Sequence, residues 1–285
     1  HAVTIDGHFT AATQRAVRAF QSWAGLTVDG VCGPRTKSAI AAAVGAKLWP
    51  QPVPSPKLGT TSTSMLLDEI VRVAETEYRR WNAGRKLRET DSDAVPVLQR
   101  YYREGVKMQI GAAELQDTNW QREHPWSAVF ISYVMRTAGA GAAFRYSPAH
   151  QDYIAAARRN RLDNVTANPF WAYRADEVVP QVGDLICNAR GNSGATYDNI
   201  GDKQRRKTHC DIVTAVSPSK LRVIGGNVNQ NVDVKELMTL PDGRLALTGK
   251  QAAIFAIVRC RGNIRSEEHT SELQSHSDLV CRLLL

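Results

Sequence analysis

The sequence has no hydrophobic run approaching the ~18 consecutive apolar residues of a membrane-spanning helix, which excludes a helical span. Cysteine is scarce, five in 285 residues with no CxxC pair, so a disulfide scaffold is excluded and the redox compartment stays open. There is no HExxH, no Cys/His set with structural-zinc spacing and no Gly-rich loop ending in Lys-Ser/Thr. No metal, nucleotide or other cofactor is therefore expected. The chain opens at His1, without Met and without a basic segment leading into an apolar one, so it reads as a mature form or a fragment whose signal peptide is absent or lost.

What is present is ordinary globular material, 43% hydrophobic and 22% charged, long enough for two domains. The formal charge of +8 points to an anionic partner. The last 21 residues, Arg265 to Leu285 (RSEEHTSELQSHSDLVCRLLL), have no amphipathic period and resemble translated sequencing-adapter sequence, so they are set aside as an unstructured, artefactual tail. In that tail Arg265 and Arg282 stand against Glu267, Glu268, Glu272 and Asp278, a net of −2. Removing it from +8 leaves +10, with four cysteines: Cys32, Cys187, Cys210 and Cys260.

Residues 1–45 contain a repeat. Val3 to Val17 aligns without a gap on Leu26 to Ile40, and Thr4, Asp6, Gly7, Thr13 and Ala16 recur as Thr27, Asp29, Gly30, Thr36 and Ala39. Each copy is a short apolar stretch, an Asp-Gly turn and a helix, with Gly30 supplying a positive φ and Thr13 and Thr36 near the helix starts as capping residues. Ala16, Val17, Ala19, Phe20 and Trp23 give one apolar helical face. The string DGHFTAATQRAVRAFQSWAGLTVDGVCGPRTKSAI resembles the bacterial peptidoglycan-binding domain, a small all-α module. It lacks the first helix of that family, which implies a truncated copy. Asp6, Gly7, Asp29 and Gly30 read as structural turn residues. Residues 46–64, with WPQPVPSPKLGTTSTS from Trp49, form a Pro- and Ser/Thr-rich tether.

Residues 65–264 carry any chemistry. Leu66, Leu67, Ile70, Val71, Val73 and Ala74 open a helical face that Tyr78 and Trp81 continue, and further helix runs around Val95 to Gly111. In His124 to Gly139 (HPWSAVFISYVMRTAG) Pro125 suits the first helical position and Gly139 the residue past the end, while the interior is apolar all round, as in a buried helix. After Val179 the period becomes that of strands: Gly183–Arg190, His209–Val216, Leu221–Asn227, Arg244–Thr248 and Ala253–Cys260. Helices followed by neighbouring strands indicate an α+β domain with a mostly antiparallel sheet. The polar, basic insertion 188–208 reads as a mobile flap.

Ser127 at the buried helix start, His209 at a strand start and Asn227 at the end of the next strand have the makings of nucleophile, base and orienting group, with helix N–H donors for an oxyanion. Each also has a bland reading: a helix-starting Ser, a structural His, a turn Asn. WSAVFISYVM, then GDLI, then a strand opening with His resembles the papain-like cell-wall hydrolases of the NlpC-type and cysteine–histidine amidohydrolase families. Ser127 falls on their Cys position, His209 on their strand His and Asn227 on their third polar position. A closer resemblance, carried by HPWSAVFISYVM, SPAHQDYI, VGDLICNAR, HCDIV and VIGGNV, is to the bacterial domain-of-unknown-function family numbered 2272.

A thiol with pKa ~8.5 is readily ionised at a helix end, whereas a hydroxyl requires general-base deprotonation during attack. Ser127 therefore implies either a Ser-dependent hydrolase or a hydrolase fold kept for binding. Cys187, Cys210 and Cys260 read as buried small hydrophobes within strands, not as replacement nucleophiles. His150 is a further candidate for the cleft, and Asp211, on the same strand face as His209, for orienting it; Asp184 reads as a turn residue. The resemblance implies a peptidoglycan amidase or endopeptidase, endolysin-like and of bacterial or phage origin, acting in the periplasm or at the wall as a monomer. Nucleic acid is not an expected partner, because the basic residues of 202–207 lack interleaved aromatics.

Overall fold

The computed structural model describes residues 17–18, 20–21, 24–45 and 61–261, which fall in two compact units, one within residues 17–45 and one within 61–261. Asp6, Gly7, Thr13, Ala16, Ala19, Trp23, residues 46–60 and the tail from 262 onward lie outside the described residues.

The first unit is helical. Helix α1 (Pro34–Gly45) starts on proline, whose missing N–H and fixed φ suit that position. Phe20 and Ile40 form a small core with Ala24, Leu26, Cys32 and Ala39. The Asp29-Gly30 turn is held from inside by buried Gln21. Its Nε2 donates to Asp29 Oδ1 (2.7 Å) and Thr36 Oγ1 (3.0 Å), and its Oε1 accepts from Gly30 N–H (2.8 Å). Gly30 takes φ 74°, and Asp29 Oδ1 also accepts from Val31 N–H at 2.8 Å. Asp29 and Gly30 thus shape the turn.

The second unit is α+β. Helix α2 (Thr61–Asn82) begins inside the stretch expected as tether and buries Leu66, Ile70, Val73, Ala74 and Trp81, the stripe expected from its period. Helix α3 (Val95–Arg100) runs into a π-helical turn, Tyr101–Gly105, followed by short helices α4 (Ala112–Gln116) and α5 (Thr118–Glu123). Helix α6 (Ser127–Thr137) has every residue from Ser127 to Met135 buried. It begins two residues after Pro125, with Trp126 as its N-cap, and closes as a Schellman turn: Gly139 at φ 89° donates to Arg136 O and Ala140 N–H to Met135 O. Helix α7 (His150–Leu162) follows.

Six strands make one antiparallel sheet in the order β1-β6-β2-β3-β4-β5: β1 (Phe170–Arg174), β2 (Leu185–Ala189), β3 (Thr208–Ser217), β4 (Lys220–Val228), β5 (Asn231–Met238) and β6 (Ile254–Cys260). Leu185, Cys187, Cys210, Ile212 and Ile224 share the large core with the helices. Ile186, Val213, Leu221, Val223 and Ile257 form a second core. Strand alternation therefore places His209 and Asp211 on the face opposite Cys210 and Ile212.

Four sequence expectations are corrected here. Arg244–Thr248 is not a strand: only an isolated bridge, Thr239 to Leu245, forms there. The Gln251 side chain occupies the backbone groups a partner strand would use, accepting from Met238 N–H and donating to Met238 O and Ala246 O. Two strands absent from the sequence reading, β1 and β5, form the sheet edges. The 188–208 insertion is not a loose flap. It buries Ala195, Tyr197 and Ile200, and Tyr197 Oη donates to Ala172 O at 3.0 Å. Finally, Cys187 and Cys210, directly opposed in the β2–β3 register, are joined as a disulfide. They carry no thiol.

Candidate functional site

The start of α6 is fixed by aromatic packing. The indole of Trp126 stacks on Trp81 at 5.0 Å, and its Nε1–H donates to Glu89 Oε2 at 2.6 Å. Burial pushes the Glu89 carboxyl up against the opposing effect of that hydrogen bond. Ser127 follows directly, 2% exposed, in the first turn, where a helix leaves backbone N–H groups without intrahelical acceptors. On β4, glycines 225 and 226 allow the sheet to close on this region. A Cβ on Gly226 would lie 2.4 Å from Phe130 Cβ, and one on Gly225 would lie 2.0 Å from Asp211 Oδ1.

The Ser127 Oγ lies 2.7 Å from Nε2 of His150, the first residue of α7. The other ring nitrogen, Nδ1, is hydrogen-bonded to Tyr153 Oη, one helical turn along. Beside this Ser–His–Tyr relay stands a second histidine. The rings of His150 and His209 are 5.2 Å apart, and His209 Nε2 lies 2.9 Å from Asp211 Oδ1, while Asp211 Oδ2 accepts from Lys235 Nζ at 2.5 Å. His209 Nδ1 is buried and has no hydrogen-bond partner among the described residues.

The electrostatics separate these groups. Burial, reinforced by His209 alongside, holds His150 well below the ordinary imidazole range, so it is neutral. Burial also drives the Tyr153 phenol well up, with the Asp211 charge adding to it. For Asp211, burial acts upward, but His209 and Lys235 outweigh it and hold the carboxyl below the usual range, so it is ionised. Among the described residues no group of three or more His, Cys, Asp and Glu side chains is placed to hold a metal ion.

A family model for proteins described as uncharacterized and conserved in bacteria (DUF2272) matches residues 100–271, more than half of the chain and including Ser127, His150, Tyr153, His209, Asp211 and Lys235. The chain belongs to the DUF2272 family. A second model, for a peptidoglycan binding domain, matches residues 2–40. That second match supports an interaction of this DUF2272 protein with peptidoglycan and suggests association with the cell wall. No helix of the described residues is long and apolar enough to cross a membrane. Neither the curated proteins nor the solved structures contain a match to the chain.

Ser127, His150, His209 and Asp211 converge in the fold. Asn227 does not join their hydrogen bonds: it sits at φ 54° where the β4–β5 register slips between Gly225 and Val228, and Asp211 takes the contact with His209. Asp184 is structural, its carboxylate buried against Arg259 (2.7 Å) and Gln181 N–H (2.8 Å). Tyr153, Lys235 and Glu89 carry no sequence motif that marks them as site residues. Tyr153 was accessible at i+3 from His150 on one helix face; Lys235 and Glu89 arrive only through tertiary packing.

Proposed function

We propose that this DUF2272 protein is a peptidoglycan amidohydrolase, an amidase or endopeptidase, with Ser127 as nucleophile in place of cysteine. The observation that carries the reading is the 2.7 Å approach of Ser127 Oγ to the Nε2 of a neutral histidine at a helix start. With His150 Nδ1–H donated to the Tyr153 oxygen, the Nε2 lone pair takes the Ser127 proton as Oγ attacks the amide carbonyl carbon. Backbone N–H groups of the first turn of α6 hold the resulting oxyanion. His150, now carrying that proton on Nε2, passes it to the nitrogen of the leaving amine as the C–N bond breaks, while His209, held through Nε2 by Asp211, packs beside the His150 ring. Water then gives a proton to the freed Nε2 of His150 and attacks the acyl-serine carbonyl; the bond to Ser127 Oγ breaks and Oγ takes that proton back. The chain would then divide into a wall-binding module at 1–45, a tether that ends where α2 begins at Thr61 rather than at residue 64, and a papain-like hydrolase domain from there to 264, working in the periplasm or at the wall. Purified sacculi should lose turbidity with the wild-type chain and not with Ser127→Ala or His150→Ala, and only slowly with His209→Ala. Equal clearing by all four proteins would reject the mechanism.

A second reading is favoured by the burial of Ser127, His150 and His209, all at or below 5% exposure: a wall-binding protein that keeps the fold without turnover. It requires pelleting with sacculi and no released amine at any pH.

A further inference from the structure

The second unit has an open groove of about 570 Å³ that does not include Ser127. One wall is α7, through Gln151, Asp152 and Arg159; the other is the 188–208 loop, through Lys203 and Arg205, with Arg145 completing the rim. Its charges are unevenly matched. Arg205 pairs with Asp152, and Asp202 pairs at 2.7 Å with Arg206. Arg145, Arg159 and Lys203 are exposed and have no carboxylate partner among the described residues. Three unpaired cations around one concavity repel one another in the free protein, and an anionic ligand relieves that repulsion.

We propose that this groove binds the free carboxylates of the cell-wall stem peptide and leads it into the site; the proposal deepens, and rests on, the amidohydrolase reading. Both walls run into the candidate machinery: Gln151 directly follows His150, and Arg205 precedes His209 by four residues. The walls are tied together, because the Gln151 side chain donates to Gln204 O (2.9 Å) and accepts from Arg206 N–H (2.6 Å). Gln151 to Asn160 lines the groove along ~13 Å of helix, the reach of an extended peptide of about four residues. The lining has no aromatic side chain, so it lacks the stacking platform that single-stranded nucleic acid uses.

The test is calorimetric titration of a soluble stem tetrapeptide into the full chain bearing Ser127→Ala, so that no turnover intervenes. The same titration is run with Arg145→Ala and Arg159→Ala added, and with a peptide whose carboxylates are converted to amides. The double substitution and the amidated peptide should each weaken binding at least ten-fold, on the order of one lost charge-assisted contact. Arg145→Lys with Arg159→Lys should restore most of the affinity, and added salt should weaken it. Absence of binding, equal binding of the amidated peptide, or unchanged affinity in the arginine variant overturns the proposal. So does tighter arginine-dependent binding of polyglycerol phosphate, which would make the groove a phosphate-polymer site. If sacculi release no amine while peptide binding still depends on Arg145 and Arg159, the hydrolase reading fails and the groove assignment stands.

Discussion

At the residue scale, the proposed chemistry turns on a histidine that burial keeps neutral. His150 has its folded pKa depressed, so between that value and the ordinary ~6.5 the unfolded chain binds one more proton than the folded one. Stability is then complete above about pH 6.5 and falls below it, by up to about 1.4 kcal/mol per pH unit. Urea denaturation should show this slope for the wild type, and His150→Gln should flatten it. Identical slopes would mean that His150 is not buried neutral. The same shift puts the acid limb of hydrolysis below pH 6.5, since the base is already deprotonated there. Asp211 acts in the same direction at lower pH: its folded pKa is also depressed, so its contribution holds above the ordinary carboxylate range and is lost as the medium becomes more acid. Much of this site is legible in sequence. Ser127 and His209 stand out through the helix-then-strand pattern, and the His209–Asp211 spacing puts both on one strand face. Asn227 misleads for a local reason, because a positive φ at a register slip turns it away from the alternation on which the expectation rests.

At the scale of elements, the strands that carry long or regular β-branched runs are readable, and the edge strands are not. β5 mixes Val232 and Val234 with Asp233, Lys235 and Glu236, so its pattern resembles a polar turn until β4 pairs with it. The disulfide is hidden for a similar reason. Cys187 and Cys210 lie 23 residues apart, and only the β2–β3 register opposes them. The bond closes the 188–208 loop, one wall of the basic groove, at the residue following His209. Closing a loop of that length is worth about 3 kcal/mol through restriction of the unfolded chain. Reduction, or Cys187→Ser with Cys210→Ser, should lower the unfolding free energy by about that amount and increase proteolytic nicking within 188–208. Unchanged stability in strong reductant would show that the loop is held by its side-chain packing alone.

At the scale of the molecule, the net positive charge and the peptidoglycan-binding match of the first unit support an interaction with the anionic cell wall. A wall-binding domain converts encounters with an insoluble substrate into a local search, raising effective concentration without altering the site. The Asp-Gly turn of that domain depends on one buried side chain, Gln21. Gln21→Leu leaves Gly30 N–H and the Thr36 hydroxyl without that partner, a change costing about 1–3 kcal/mol per unsatisfied group. It should reduce clearing of sacculi at least ten-fold while leaving cleavage of a soluble stem-peptide fragment unchanged. Equal losses on both substrates would mean that the first unit contributes to the site itself. The α+β class and the wall-binding module are legible from periodicity and motif. The partnership of His150 with Ser127 required the fold, because helix α7 reaches the start of α6 only through packing against the sheet.

Ser127 is the proposed nucleophile for amide hydrolysis of peptidoglycan. The direct measurement is the number of new free amino groups released from purified sacculi, labelled and identified by mass, for the wild-type chain, Ser127→Ala and Ser127→Cys. Hydrolysis requires amine release by the wild type, loss of at least 10³-fold in Ser127→Ala, and retained release in Ser127→Cys, whose thiol a helix start and a neighbouring imidazole activate. Amine release that is the same with and without the Ser127 hydroxyl, or none from any of the three proteins, would contradict it.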